Sequence, residues 1–279
     1  MKKFNARRLP VYILTGLFAF VWTLISLLPF YLMIMSSFKS QPDYGRNGFF
    51  SFPREFMFSN YVRVVKDGIF TYFRNSLVVT VVALVVLLFL SLCAAYPLSR
   101  FRFRFNRPLN SFFVASMAIP MHVTLIPIYL LTRALGMYDK LQGLVVPYVA
   151  FNIPITVYIL VNFMKTIPLE LEDAAEIDGC GKIGVFANVI VPLTGSGLVT
   201  VAIYDAIAMW NEFSFALVLM QSRTMRTLPL AVWNYKGQYS SSVPLVLCVL
   251  FMSVLPMIIA YAIGQDKLVR GMIAGAIKG

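Results

Sequence analysis

Two carboxylates sit in a stretch that is otherwise apolar enough for a membrane. Asp205 and Glu212 lie seven residues apart within the run 195–220. Paired carboxylates could form the dyad of an aspartyl protease, but seven helical residues put them about 10 Å apart along the axis, too far to share a proton. Each costs about 2.5–3.5 kcal/mol at the bilayer centre, so both are expected to face protein or water. Trp210 and Asn211 stand between them. In one reading Asp205 and Glu212 line a polar pathway, with Trp210 and Asn211 offering the stacking surface and hydrogen bonds that a sugar uses. The competing reading, an inter-subunit hydrogen bond or ion pair, applies to Asn211 and Glu212 equally and suits Asp205 better. His122 lies between Pro120 and Pro127 and is either a satisfied buried imidazole or a contact to a ligand; Asn152 is a weaker candidate for the same polar path.

Other chemistries fail on the residues available. With one histidine, a His-x-x-x-His zinc hydrolase is impossible. No Gly-x-Ser-x-Gly elbow occurs. Gly181-Lys182 lacks the upstream glycine of a phosphate loop and is followed by Ile183, so the chain is not expected to hydrolyse ATP itself. No cofactor or metal is expected on it.

The elements that must position these residues follow from composition. Of 279 residues, 59% are hydrophobic and 13% charged, too little polar surface for a soluble domain of this size. Apolar runs longer than 18 residues predict a single all-α membrane domain over 1–279 with six spans, about 11–35, 76–98, 109–133, 142–163, 195–220 and 243–264. The first run ends without a small-residue cleavage site and reads as a retained span. Pro120 and Pro127 must kink or break the third span. Between the first two spans, Ser59 can cap a surface helix carrying Tyr61, Val65, Ile69 and Phe73 on one face.

The net charge of +12 follows the ends of the apolar runs, which is membrane topology and not nucleic-acid binding. The N-terminal segment and the 99–108 loop carry eight Lys/Arg in 20 residues, against six in 40 for the segment 36–75. That asymmetry predicts both termini in the cytoplasm. The three cysteines, Cys93, Cys180 and Cys248, imply no disulfide framework.

One long polar island, residues 165–192 (KTIPLELEDAAEIDGCGKIGVFANVIVP), interrupts the second half and holds five of the twelve acids. Thr166 or Ile167 before Pro168 reads as a helix start, with Glu170, Glu172 and Asp173 complementing its dipole. Ile167, Leu171, Ala174 and Ala175 share a face. Gly179 reads as the helix stop. A second helix follows with Ile183, Phe186, Ile190 and Leu193 on one side. The result is a helix-turn-helix across the cytoplasmic membrane surface, either a plain interfacial loop or a docking element for a partner.

Asp173-Ala174-Ala175, Gly179 and Val189-Ile190-Val191-Pro192 resemble, at matching spacing, the EAA loop of ABC importer permeases. Asp replaces Glu at Asp173, one carbon shorter. Asn75-Ser76, Ile119-Pro120, Ile126-Pro127, Trp210-Asn211-Glu212-Phe213, Thr227-Leu228-Pro229 and the ending Gly271 to Gly279 are similar to the carbohydrate branch, the maltose and glycerol-phosphate type. The resemblance implies the type I permease fold of the bacterial cytoplasmic membrane. It also implies partners: a second homologous permease, two ABC ATPase subunits holding ATP and Mg, an extracytoplasmic solute-binding protein, and a sugar. Glu172, Asp173, Ala174, Ala175, Asp178 and Gly179 would seat in an ATPase cleft, and the tail 265–279 would reach the same interface. A polyol or glycerol phosphate is the alternative solute; a secondary transporter or channel is the alternative class.

Overall fold

The computed structural model describes residues 9–235 and 242–276. Among these, every regular element is helical. The chain divides into two compact units, residues 1–69 with 232–254 and residues 70–231 with 255–279.

In the first unit, α1 (Leu9–Ser37) has no charged residue, and its apolar side chains along 11–31 are exposed. That is the surface of a helix meant for lipid. Ser40 caps α2 (Gln41–Asn47), its hydroxyl accepting from the Asp43 amide at 3.2 Å. Lys39 is fully buried, and its ammonium donates to the Gly48 carbonyl at 2.8 Å and to Ser51 Oγ at 2.9 Å. The surface helix is shorter than expected. It runs as α3 (Ser59–Lys66), with Ser59 as its first residue and no side-chain cap. Gly68, at φ 90°, ends the segment before the next helix begins at Ile69. The expected stripe through Val65 and Ile69 is therefore divided, and Val64 is the residue that turns inward.

The second unit is organised by α4 (Ile69–Arg100) and α7 (Gln142–Met164), both continuous. One core joins Val79, Ala83 and Leu87 of α4 to Leu144 and Tyr148 of α7 and to Phe215 and Leu219. A second core, nearer the other ends of the same helices, joins Ala95 and Tyr96 to Leu160, Met164, Val185, Ile190 and Val201.

Neither the third nor the fifth expected span is one straight helix. The 109–133 stretch forms α5 (Asn106–Ser116), a 3-10 turn at Met121–Thr124 and α6 (Leu125–Ala134), bent by 90°. Pro120 is extended (φ −67°, ψ 126°) and causes the break. Pro127 does not kink anything, because it falls in the first turn of α6, where its missing N–H is no loss. The stretch 195–220 divides into α11 (Gly195–Trp210) and α12 (Ser214–Leu219). By length and hydropathy, α1, α4 and α7 can each cross a membrane alone, and two bent pairs, 106–134 and 182–210, can do so if each counts as one pass. The last helix, α13 (Val243–Ala276), contains a shorter apolar stretch over Val243–Ile259 and continues through most of the expected tail; residues 277–279 lie outside the described ones.

Candidate functional site

Glu212 lies in the three-residue gap between α11 and α12. Its Oε1 accepts from the Phe215 amide at 2.7 Å, and its Oε2 accepts from the Ala216 amide at 3.2 Å and the Tyr148 hydroxyl at 2.8 Å. The two amides belong to the first turn of α12, which has no intrahelical acceptors for them. Glu212 thus ends one half-helix, caps the next and ties both to α7. The carboxylate is satisfied by neutral donors alone.

Beside it opens a cavity of about 450 Å³. Asn152, Asn211 and Glu212 line it, with Tyr148, Phe151, Phe213 and Ser214. Asn152 and Asn211 each donate back to their own helix, to the Tyr148 carbonyl at 2.7 Å and the Ile207 carbonyl at 2.9 Å. Their amide oxygens have no such anchor. His122 is exposed, with Nε2 3.3 Å from Ser214 Oγ. The structure therefore gathers four of the six expected path residues at or beside one polar-aromatic cavity.

The other two lie elsewhere. Asp205 is wholly buried between α11 and α7, with Oδ2 2.9 Å from Thr156 Oγ1. It holds two helices together and does not line the cavity. Trp210 is 5% exposed and meets Phe73 edge-on at 5.5 Å, so its ring is packed into the protein. The aromatic surface that Trp210 was expected to supply comes from Phe151 and Phe213. Tyr148 and Phe151 escaped sequence reading because aromatic residues in a mostly apolar helix read as packing; Asn152, next to Phe151, was the one candidate named in α7.

The polar island builds a second site. Its first helix, α8 (Glu170–Ile177), begins two residues later than expected, with Leu169 as N-cap. Glu170, Glu172 and Asp173 occupy its first turn. Glu172 points inward: it is 8% exposed and forms an ion pair with Arg100 at the end of α4, Nε to Oε1 2.5 Å. The same guanidinium donates to the Ile167 carbonyl at 3.0 Å. Burial pushes the Glu172 carboxyl above its usual range, and the Arg100 charge pulls it back. Glu172 is accordingly the peg that fixes α8, while Asp173, Ala174, Asp178 and Gly179 are exposed and Ala175 is half-buried. Ile167 is buried and Leu171 exposed, so the expected four-residue face is split.

Gly179 turns the chain at φ 87°, with open space around it. Beyond it, α9 (Lys182–Val185) runs into a π-helical turn at Phe186–Ile190, then α10 (Val191–Leu193). The extra residue of the π turn puts Val185 and Ile190 inside and leaves Ile183 83% exposed, where a straight helix was expected to align Ile183 with Ile190. Glu176 and Lys182 pair across the bend. Farther on, Gly197 packs so close to α7 that a Cβ there would stand 2.8 Å from the Phe163 ring.

Two short motifs that looked unrelated in sequence meet in space. Asn75 Nδ2 donates to the Thr224 and Arg226 carbonyls at 2.7 and 2.9 Å, and the Leu228 amide donates to Ser76 Oγ at 2.8 Å. Asn75-Ser76 is therefore a clamp on the segment that carries Thr227-Leu228-Pro229.

Known proteins match this architecture along nearly its whole length. A putative ABC transporter permease, ORF2 of Caldicellulosiruptor sp. (strain Rt8B.4), is 45% identical over 94% of this chain and 96% of its own. The multiple sugar-binding transport system permease MsmG of Streptococcus mutans is 33% identical over 91% of this chain and 93% of its own. The probable starch degradation products permease AmyC of Thermoanaerobacterium thermosulfurigenes is 31% identical over the full length of both. A bacterial ABC transporter that imports the acidic polysaccharide alginate shares the fold, at TM-score 0.80 and 24% identity over 95% of this chain and 99% of that one. The family model for the inner membrane component of binding-protein-dependent transport systems matches residues 88–270, and the chain belongs to that family.

Proposed function

We propose that this chain is the permease subunit of an ATP-driven, binding-protein-dependent importer of a sugar or oligosaccharide. In this reading the chain passes the membrane six times, the bent pairs counting as one pass each and α13 as the last. Both termini and the α8–α9 segment face the cytoplasm of a bacterium. A second homologous permease completes the translocation path, two ATPase subunits supply ATP and Mg, and a solute-binding protein delivers substrate from outside.

One observation carries the coupling role. α8 is fixed from behind by the Arg100–Glu172 ion pair, yet it and the bend after it present Asp173, Ala174, Asp178 and Gly179 outward, and neither acid takes part in an ion pair among the described residues. A rigid, small-sided, acidic element is suited to transmit a push from a soluble subunit. The sugar class rests on relatives named for sugar uptake and on a cavity whose amides and phenyl rings suit hydroxyls and C–H faces.

The test is reconstitution with the partner subunits. Asp173→Arg should abolish ATPase co-purification and ATP-dependent uptake while leaving membrane insertion intact. Normal co-purification would remove the coupling role. Uptake driven by a proton or sodium gradient in ATP-depleted vesicles would replace it with a secondary transporter.

A further inference from the structure

A second cleft in the same unit lies away from the cavity beside Glu212. It has a volume of about 1070 Å³ and is formed by the 98–107 segment and residues 165–170. Arg102, Arg104, Arg107 and Lys165 line it and are exposed. The described residues contain two ion pairs, Arg100–Glu172 and Lys182–Glu176, and none of these four cations takes part. One carboxylate, Glu170, stands on the rim. Four cations against one acid, held in a concave space, favour an anion.

We propose that this cleft binds the phosphate headgroup of an anionic membrane lipid. Depth argues for a lipid. The two walls are the polar ends of the long apolar helices α4 and α7, which end at Arg100 and Met164. In the six-pass reading proposed above both helices leave the hydrocarbon here, which puts the cations at headgroup level. Phe101, Phe103 and Phe105 alternate with the arginines and are exposed, as rings at a membrane interface are. Arg104 lies over the Phe105 ring at 5.5 Å. The floor is already built. Asn106 Nδ2 donates to the Leu98 and Phe101 carbonyls at 3.1 and 2.7 Å, and Arg100 anchors Ile167, so the loop has a set shape before any lipid arrives. This makes the cleft a site where lipid headgroups act on the same element that positions α8.

The test uses the full chain in detergent with phosphatidylglycerol and phosphatidylcholine at equal concentration, the retained lipid being counted by native mass spectrometry. The wild type should retain phosphatidylglycerol preferentially. Neutralising the four cations to glutamine should erase that preference, by roughly fivefold for each one removed. A variant with lysine at all three arginines keeps the charge and should keep most of the preference, which separates binding from misfolding. Unchanged selectivity in the glutamine variant would overturn the proposal. So would displacement of the lipid by inorganic phosphate at equal concentration, which would point to a free anion. Loss of ATPase co-purification in the glutamine variant with lipid retention intact would assign the cleft to a protein interface and overturn it as well.

Discussion

Glu172 and Glu212 are both carboxylates drawn into the protein, and they are held by opposite means. Glu172 meets a formal cation, Arg100, across α8 and α4. Glu212 meets two backbone amides and one phenol, with no cation. The first arrangement joins two elements by a charge pair that fails if either partner is lost. The second distributes a negative charge over dipoles that the fold needs to satisfy anyway. The cationic tether stands behind a helix whose outer face is exposed, the face that the proposed function offers to a soluble subunit. The dipolar one stands beside the cavity and brings no cation to it.

The widest departure between the two should come from removing the cation. Arg100→Ala leaves Glu172 buried without its partner, and a loss of roughly 3 kcal/mol is expected. It should appear as faster hydrogen exchange in α8 and lower thermal stability in detergent. Glu172→Gln in the Arg100→Ala background should recover much of the loss, since no buried charge then remains; no recovery would mean the pair acts through packing. Next comes Glu212→Ala, which frees two first-turn amides of α12 and the Tyr148 hydroxyl, at about 1–2 kcal/mol. Glu212→Gln keeps an acceptor and should lose less than half of that in the same thermal assay, because the tether does not depend on a cation. If Gln and Ala prove equal, the dipolar account fails.

Two smaller effects sharpen the contrast. Gly179→Ala has room for its methyl group, so only the left-handed backbone resists it, at about 1 kcal/mol. Exchange should rise around residues 177–182 and nowhere near Glu212. Tyr148→Phe removes one of the three donors to Glu212, at about 0.5–1 kcal/mol. It should alter uptake kinetics more than stability, because Tyr148 and its partner Glu212 both line the cavity.

How far the sequence could reach depended on the range of each interaction. The continuous helices α1, α4 and α7 are visible in hydropathy alone, and the break near Pro120 in the missing N–H of a proline. The split of the fifth run at Asn211–Phe213 was not visible, because nothing there is a helix breaker. It is stabilised from outside by Tyr148, 64 residues away, and by a carboxylate that hydropathy registers only as a penalty. Glu172 was grouped with the residues that would seat in an ATPase cleft, by resemblance, and the dipole of its helix already gave an acid in the first turn a local reason. Its partner is an arginine 72 positions earlier in a flank whose charges all looked alike. Trp210 was assigned to the path by its type, and only packing against Phe73 shows that its ring is occupied. Local chemistry was readable; pairing between distant stretches was not.

The π turn at Phe186–Ile190 makes this part of the chain tolerant of a length change in one direction only. A π turn contains one residue more than the α-helix that would replace it. Deleting Ala187 or Asn188, both exposed, would let the turn close into regular helix with the side chains upstream and downstream kept on their present faces. Inserting a residue there would instead rotate every side chain downstream by about 100° relative to those upstream. Gly197 would then leave the Phe163 ring, and a bulkier neighbour would be brought to the same spot. An insertion at the tip around Gly179, where space is open, rotates nothing that is packed. A scan of single-residue deletions and insertions through 170–200 should therefore be lopsided: insertions tolerated at the bend and severe within the five residues before Val191, where deletion of Ala187 or Asn188 is mild.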